Sequence, residues 1–291
     1  MKEEGKIINI ISNIFYVEVN KKIYECTSRG IFKNSEIKPV VGDNVIIEIE
    51  ENTGNIIEVL DRINYIKRPK MANLDGLILV VSSKNPKPDL LMLDKQIAFA
   101  EFLNIKPIIL INKIDLDNKD IAEEIEKLYS KIGYKVVKTS AKEGINIKEL
   151  SDILKGKVSA FSGNSGVGKS SLINSMFNEN KTLEGEISQK NKKGKNTTTS
   201  IKLYEVEENT YIADTPGFSN FEVYEIPYKE LYKYFIEFNE FVIDCEYADC
   251  THIKEEMCGI KKEVGNKISI SRYENFKKIY EELKDKEEHK W

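Results

Sequence analysis

The stretch Gly163-Asn164-Ser165-Gly166-Val167-Gly168-Lys169-Ser170 fits G-x-x-x-x-G-K-S/T at every fixed position, a pattern whose chemistry is the holding of phosphates. Glycines let the backbone wrap an anion so that its N–H groups and the N-terminus of a following helix face the charge. Lys169 supplies a point charge to the outer phosphates and Ser170 a hydroxyl to Mg²⁺, with Ser171 beside it in the binding set. A second stretch, Asn112-Lys113-Ile114-Asp115, suits one particular base. Guanine carries two adjacent donors, N1–H and the exocyclic amine, which the Asp115 carboxylate can accept together while Asn112 serves the loop and the base edge. Adenine has no such pair, and an unmatched buried carboxylate is costly, so this residue discriminates strongly between the bases.

Three weaker signals fall where such a site needs them. Thr139-Ser140-Ala141-Lys142 follows the strand-like Lys135-Val136-Val137-Lys138 and offers Ser140 and the Ala141 N–H, the latter to the guanine carbonyl oxygen. Asp214-Thr215-Pro216-Gly217 ends the apolar run Tyr211-Ile212-Ala213, setting a carboxylate for a Mg²⁺ water and the Gly217 N–H near the terminal phosphate. Alone, it would read as a plain turn. Thr197-Thr198-Thr199 offers a hydroxyl to the metal shell, with Thr198 the candidate and its two neighbours still open.

These pieces need strands that end at them. Val158-Ser159-Ala160-Phe161 before the phosphate loop and Pro107-Ile108-Ile109-Leu110-Ile111 before the tetrad are continuous apolar runs suited to a parallel sheet buried on both faces. The segment Ser170 to Phe177 reads as the helix after the loop. The tetrad precedes the phosphate loop, the reverse of the usual order. A circular permutation accounts for this without disturbing the site, since the strands of a doubly wound sheet can be joined differently where chain ends lie close.

Cys245, Cys250, His252 and Cys258, spaced C-x₄-C-x-H-x₅-C, form a second cluster. A Cys₃His set suits a closed, structural, tetrahedral Zn²⁺ site. With four cysteines in the chain and no export signal, reduced thiols are expected rather than a disulfide pair. Cys26 reads as a small core residue and His289 as a solvated tail residue.

At 291 residues with 41% hydrophobic content the chain should bury a core and divide into two or three domains. Met1-Lys2-Glu3-Glu4 lacks a secretory pattern and no apolar run nears the roughly 20 residues of a membrane span, so a soluble cytoplasmic protein is expected. A net charge of −4 argues against a globally basic nucleic-acid binder. Lys190, Lys192, Lys193 and Lys195 nevertheless cluster before the threonines and suit a solvated loop or a contact with a phosphate backbone.

Residues 1–66 hold short β-rich runs, Ile7 to Ile11, Ile14 to Val19, Lys22 to Cys26 and Asn44 to Ile49, with turn signals at Asn20-Lys21, Gly42-Asp43 and Gly54-Asn55. Their spacing predicts a five-stranded OB-type barrel, a fold that often faces nucleic acid. Residues 67–220 alternate strand and helix, including Leu77 to Val81, Leu90 to Phe102 and Ile121 to Ile132, as in an α/β domain. Residues 221–291 read as helices around the metal cluster, with apolar stripes Tyr228, Leu231, Tyr232, Phe235, Phe238 and Tyr273, Phe276, Ile279, Tyr280, Leu283.

Together the chain resembles, over nearly its whole length, the RsgA family of circularly permuted GTPases that depend on the small ribosomal subunit. Tyr24-Glu25-Cys26-Thr27-Ser28-Arg29-Gly30, Val41-Gly42-Asp43, Arg68-Pro69, Ala72-Asn73-Leu74-Asp75, the permuted motifs and the cysteine-histidine spacing carry the resemblance. It implies an OB-like RNA- or ribosome-binding domain, a permuted GTPase domain and a zinc domain. It further implies GTP hydrolysis to GDP, stimulated by the small subunit and its rRNA late in assembly. The expected protein is a monomer without membrane or DNA partners. Two departures bear on mechanism. Asn196 stands where the family carries a histidine before its threonines, and Phe218 stands where many GTPases place a water-orienting glutamine. A further change, Glu255-Glu256-Met257-Cys258 for Glu-Pro-Gly-Cys, alters a turn but no ligand.

The candidate catalytic set is therefore Lys169, Ser170, Asn196, Thr198 and Asp214. Slow turnover is expected in the free protein, with docking ordering the segment from 181 to 202 and supplying what positions the water. The competing reading is a GTP-gated rRNA-binding module whose hydrolysis is incidental. A metabolic kinase would need an acceptor site that no motif provides.

Overall fold

The computed structural model describes residues 1–28, 37–117, 119–179, 201–214 and 225–289. Its first five strands are β1 (Lys2–Ile11), β2 (Ile14–Val19), β3 (Lys22–Ser28), β4 (Asn44–Glu50) and β5 (Thr53–Val59). β1 pairs with β2 and β4, β2 with β3, and β5 with both β3 and β4, so the ladder closes into a barrel. Closure removes free edges, and alternate residues such as Ile7, Val17, Cys26, Val45, Ile47 and Ile56 fill the interior. The expected turn at Gly54-Asn55 is instead the start of β5. A Cβ on Gly54 would lie 2.9 Å from Cys26 Sγ, so the glycine serves close approach of strands rather than a change of direction.

A hairpin of β6 (Tyr65–Lys67) and β7 (Lys70–Ala72) follows and joins the barrel to the rest of the chain. Here the fully buried Asp43 receives Arg62 Nε and Nη2 at 2.7 and 2.8 Å, and Asn73 Nδ2 donates to Gly42 O at 3.0 Å. The bond from Asn73 thus ties Ala72-Asn73-Leu74-Asp75 to Val41-Gly42-Asp43 of the barrel.

The second unit is a six-stranded sheet. In chain order its elements are β8 (Gly76–Ser82), α1 (Leu90–Phe102), β9 (Lys106–Asn112), α2 (Ile121–Ile132), β10 (Lys135–Lys138) and α3 (Ile147–Leu154). β11 (Val158–Ser162), α4 (Lys169–Glu179), β12 (Lys202–Glu207) and β13 (Thr210–Asp214) complete it. The order is β10-β9-β8-β11-β13-β12, parallel except for β12. β8 is buried along its whole length: Leu77, Leu79 and Val81 face the core under α1 and α2, while Ile78 and Val80 face that under α3 and α4. β12 also meets β1 through the pair Asn9 and Lys202, so barrel and sheet are continuous, and Ile8 of the barrel lies in the same core cluster as Leu77.

The C-terminal residues form 3₁₀ turns at Tyr228–Tyr234, Ile236–Phe238 and Val242–Asp244, then α5 (Gly259–Glu263) and α6 (Ile270–Glu288). The first expected α-helix is therefore a 3₁₀ run. Phe235 and Phe238, three residues apart across the break between the first two turns, both meet the ring of Phe276 edge-on, at 5.3 and 5.1 Å. α1 is covered on both sides: Leu93, Ile97 and Phe99 pack on the sheet, and Ala98 packs into the C-terminal core.

Candidate nucleotide site and metal centre

Strand order reverses between β8 and β11, and the crevice at the carboxyl ends of strands flanking such a reversal is where open α/β sheets bind ligands. The phosphate-binding sequence leaves β11 at this point. Lys169 opens α4, so the first N–H groups of that helix point into the loop. Lys169 Nζ lies 2.6 Å from Gly163 O and 3.1 Å from Asn164 O, and burial lowers its pKa, a penalty that an anion within the loop would counter. Ser165, Gly166, Ser170 and Ser171 are open to solvent, while Val167 is anchored in the core beneath α4.

Asn112, buried at the end of β9, joins three of the predicted pieces. Its Nδ2 donates to Val167 O at 2.9 Å, and its Oδ1 accepts from Ala141 N at 3.2 Å and Thr139 Oγ1 at 3.3 Å. Both ends of the amide are thus engaged by loops. Lys113 has φ 64° and stretches along the phosphate loop, with Nζ donating to Gly166 O at 2.7 Å and to Asn85 O. Ile114 N donates to Thr139 O at 3.2 Å. Asp115 Oδ1 accepts from Ser140 Oγ at 2.6 Å, which fixes the carboxylate's direction. Ala141 is held against α4 by Ser175 Oγ, 3.1 Å from its carbonyl. Asp214 ends β13 one residue beyond the Ala160 and Ala213 pair, beside the strand that feeds the loop. Asn196, Thr198 and Gly217 lie outside the described residues.

Residues that no motif announces complete the site. Ser83 Oγ donates to Lys113 O at 2.7 Å, Pro86 lies under Gly166, and Asp89 accepts from Asn164 Nδ2 at 3.2 Å. The signal for them was positional: Ser83 to Asp89 is the loop leaving the carboxyl end of β8, on the other side of the reversal.

The four ligands of the second cluster come together. Their donor atoms all lie within 4.8 Å of one another, with Cys245 Sγ 3.9 Å from Cys258 Sγ, and His252 Nδ1 3.6 and 3.5 Å from the same sulfurs. Such a group could hold a metal ion. Burial pushes the Cys250 thiol up to about 12 and raises that of Cys258, so a cation is what would hold these groups as thiolates. His252 Nε2 is buried with no hydrogen-bond partner among the described residues, and the ring instead meets Tyr232 edge-on at 4.7 Å. Glu255, between the last two ligands, ties the loop by accepting from Thr251 N, Thr251 Oγ1, Ile253 N and Lys254 N at 2.9, 2.8, 3.2 and 3.2 Å. Sequence alone did not single it out. Cys26 sits apart in the barrel core.

Comparison with known proteins agrees with this arrangement. Residues 4–57 match the model of the RsgA N-terminal domain and residues 59–224 that of the RsgA GTPase. The small ribosomal subunit biogenesis GTPase RsgA of Ruminiclostridium cellulolyticum is 38% identical over 97% of this chain and 94% of its own. YjeQ from Thermotoga maritima superposes with a TM-score of 0.86 at 38% identity, covering 97% of this chain and 99% of that one. YloQ, described as a circularly permuted GTPase, superposes at 0.82 with 31% identity, covering 98% and 96%. On matched sequence, permuted strand order and site geometry together, the chain is a GTP hydrolase and belongs to the RsgA GTPase family.

Proposed function

We propose that this GTPase acts on the small ribosomal subunit during its late assembly, and that guanine nucleotide sits across the β8 and β11 reversal. The observation that carries the site reading is the buried Asn112 amide, which joins the phosphate loop to the segment expected at the base through Val167 O and Ala141 N. Asp115, aimed by Ser140, reads N1–H and the exocyclic amine; Ala141 N–H lies beside the base; residues 163–171 hold the phosphates. Ser170, Thr198 and, through water, Asp214 would hold Mg²⁺, which would neutralise the phosphate charge. Lys169 adds a fixed positive charge that costs no reorganisation during reaction. Asn196 is assigned to water positioning, which docking completes.

The arrangement supporting a resident metal is the donor spacing. A tetrahedral zinc with Zn–S of about 2.3 Å and Zn–N of about 2.0 Å sets sulfur pairs about 3.8 Å apart and sulfur to nitrogen about 3.5 Å. The corresponding separations here are 3.9, 3.6 and 3.5 Å. One structural Zn²⁺ on Cys245, Cys250, His252 and Cys258 follows. The barrel of residues 1–66 and the zinc unit of 221–291 flank the GTPase unit of 67–220 as docking modules, the former toward rRNA. No described helix is long and apolar enough to cross a membrane, and we assign the chain to the cytoplasm as a monomer.

Turnover should rise by about tenfold or more on adding small subunits, and not on adding large ones. Steady-state phosphate release measures this, and equal rates with and without small subunits would refute the assignment. The base-to-phosphate contact is tested separately at Gly168, where φ is +100° and an added Cβ would lie 2.3 Å from Asn112 Nδ2. Gly168→Ala should weaken GDP binding by about tenfold to a hundredfold, read by fluorescent-nucleotide titration.

A further inference from the structure

Helix α1 meets the phosphate loop on one side and the C-terminal unit on the other. Asp94 and Gln96 are two residues apart, about 200° around the helix axis, and so serve opposite faces. Gln96 is 2% exposed, and its Nε2 donates to Ser162 Oγ at 2.9 Å, one residue before Gly163. Asp89 caps the helix by accepting from Met92 N at 3.0 Å, while its second oxygen holds Asn164 of the loop.

The opposite face carries a buried ionic cluster. Asp94 accepts from Arg272 Nη1 at 2.6 Å, Tyr129 Oη at 2.6 Å and Asn275 Nδ2 at 2.7 Å. Arg272, 1% exposed, also donates to Glu237 through Nε at 2.7 Å and Nη2 at 3.0 Å. Lys95 pairs with Glu282 further along α6. A desolvated charge tolerates few arrangements, because losing its partner leaves it uncompensated. This cluster therefore fixes α1 relative to α6, to the 3₁₀ turn carrying Glu237, and to α2. Because side chains in this interior are interlocked, a shift on the Asp94 side is carried to Gln96 rather than absorbed.

We propose that Gln96 and Asp89 are positioning residues for the phosphate loop, and that α1 transmits the seating of the C-terminal unit to that loop through the Asp94–Arg272 cluster. The proposal rests on reading residues 163–171 as the phosphate site. A partner that shifts α6 against α1 then changes nucleotide affinity, and by linkage nucleotide changes the affinity of the C-terminal unit for that partner.

The test uses the full chain and fluorescent GDP and GTP. Gln96→Leu removes the donor to Ser162; Asp94→Asn with Arg272→Gln keeps polar groups in the cluster but removes the charge pair. Each should speed GDP release and raise KM by about fivefold to tenfold with kcat nearly unchanged. All three changes together should do little more than the worse set, since both act through one helix. If the cluster variant does not fold, Asn275→Ala, which removes one donor at the edge of the cluster, replaces it. Release rates within about twofold of wild type in folded variants, with only the melting temperature lowered, would make the cluster purely structural and overturn the proposal. A wild-type chain that fails to bind GDP would instead overturn the reading of the nucleotide site.

Discussion

Asp115→Asn is expected to weaken GTP binding by about a hundredfold or more and to favour the xanthine nucleotide in its place. The side chain is already aimed, since Ser140 Oγ holds Oδ1 at 2.6 Å. Guanine offers two donors to a group that accepts on both oxygens. An amide at this position opposes one of those donors with an N–H of its own, leaving two donors face to face against the base. Xanthine carries a carbonyl where guanine carries its amine, so the same amide N–H finds an acceptor. Displacement of fluorescent GDP by GTP, xanthosine triphosphate and ATP measures the exchange. Equal displacement of the wild type by ATP and GTP would show that the tetrad does not read the base.

On the proposed zinc assignment, chelation should unfold the C-terminal unit while leaving the barrel and central sheet folded. Structural zinc contributes apparent free energies of about 10–16 kcal/mol in small zinc-organised units. Cys258 is fully buried among Phe238, Tyr273 and Phe276, and Tyr273 Oη donates to His252 O at 2.7 Å, so the ligand loop is part of that core. Chelation or Cys258→Ser should abolish the near-ultraviolet signal of its packed aromatics and leave a single, smaller melting transition from the barrel and central sheet. Purified chain with less than stoichiometric metal and an unchanged melting curve in chelator would dispose of the zinc assignment.

How much of this was legible in the chain depended on whether chemistry or packing set the residue. The phosphate loop, the tetrad and the cysteine-histidine spacing are visible because each function dictates residue types at short, fixed intervals. The structure gathers those motifs at two places. β5 was lost because Gly54, read as a turn, answers to a cysteine on a neighbouring strand, which no local pattern displays. β12 was lost because Lys202-Leu203-Tyr204-Glu205-Val206-Glu207 carries half its positions charged and borders the barrel rather than a continuous apolar layer. α1 was visible as a helix but its two buried faces were not, since helical apolar spacing does not show what lies against each side. Asp94, Gln96 and Arg272 could not be found at all: their partners lie 35 to 181 residues away.

The pairing of β1 with β12 also changes what counts as a separable piece. Ile8 of the barrel is buried in the same cluster as Ile201, Leu203 and Leu77, so the boundary expected from sequence near residue 66 does not coincide with the boundary of the oily interior. Cutting the gene there would leave β12 as a raw outer strand with apolar side chains facing water, an arrangement prone to self-association. The barrel, whatever it grips, is also the hull plate of the catalytic unit, and its sequence is therefore bound by two masters, the partner outside and the sheet within.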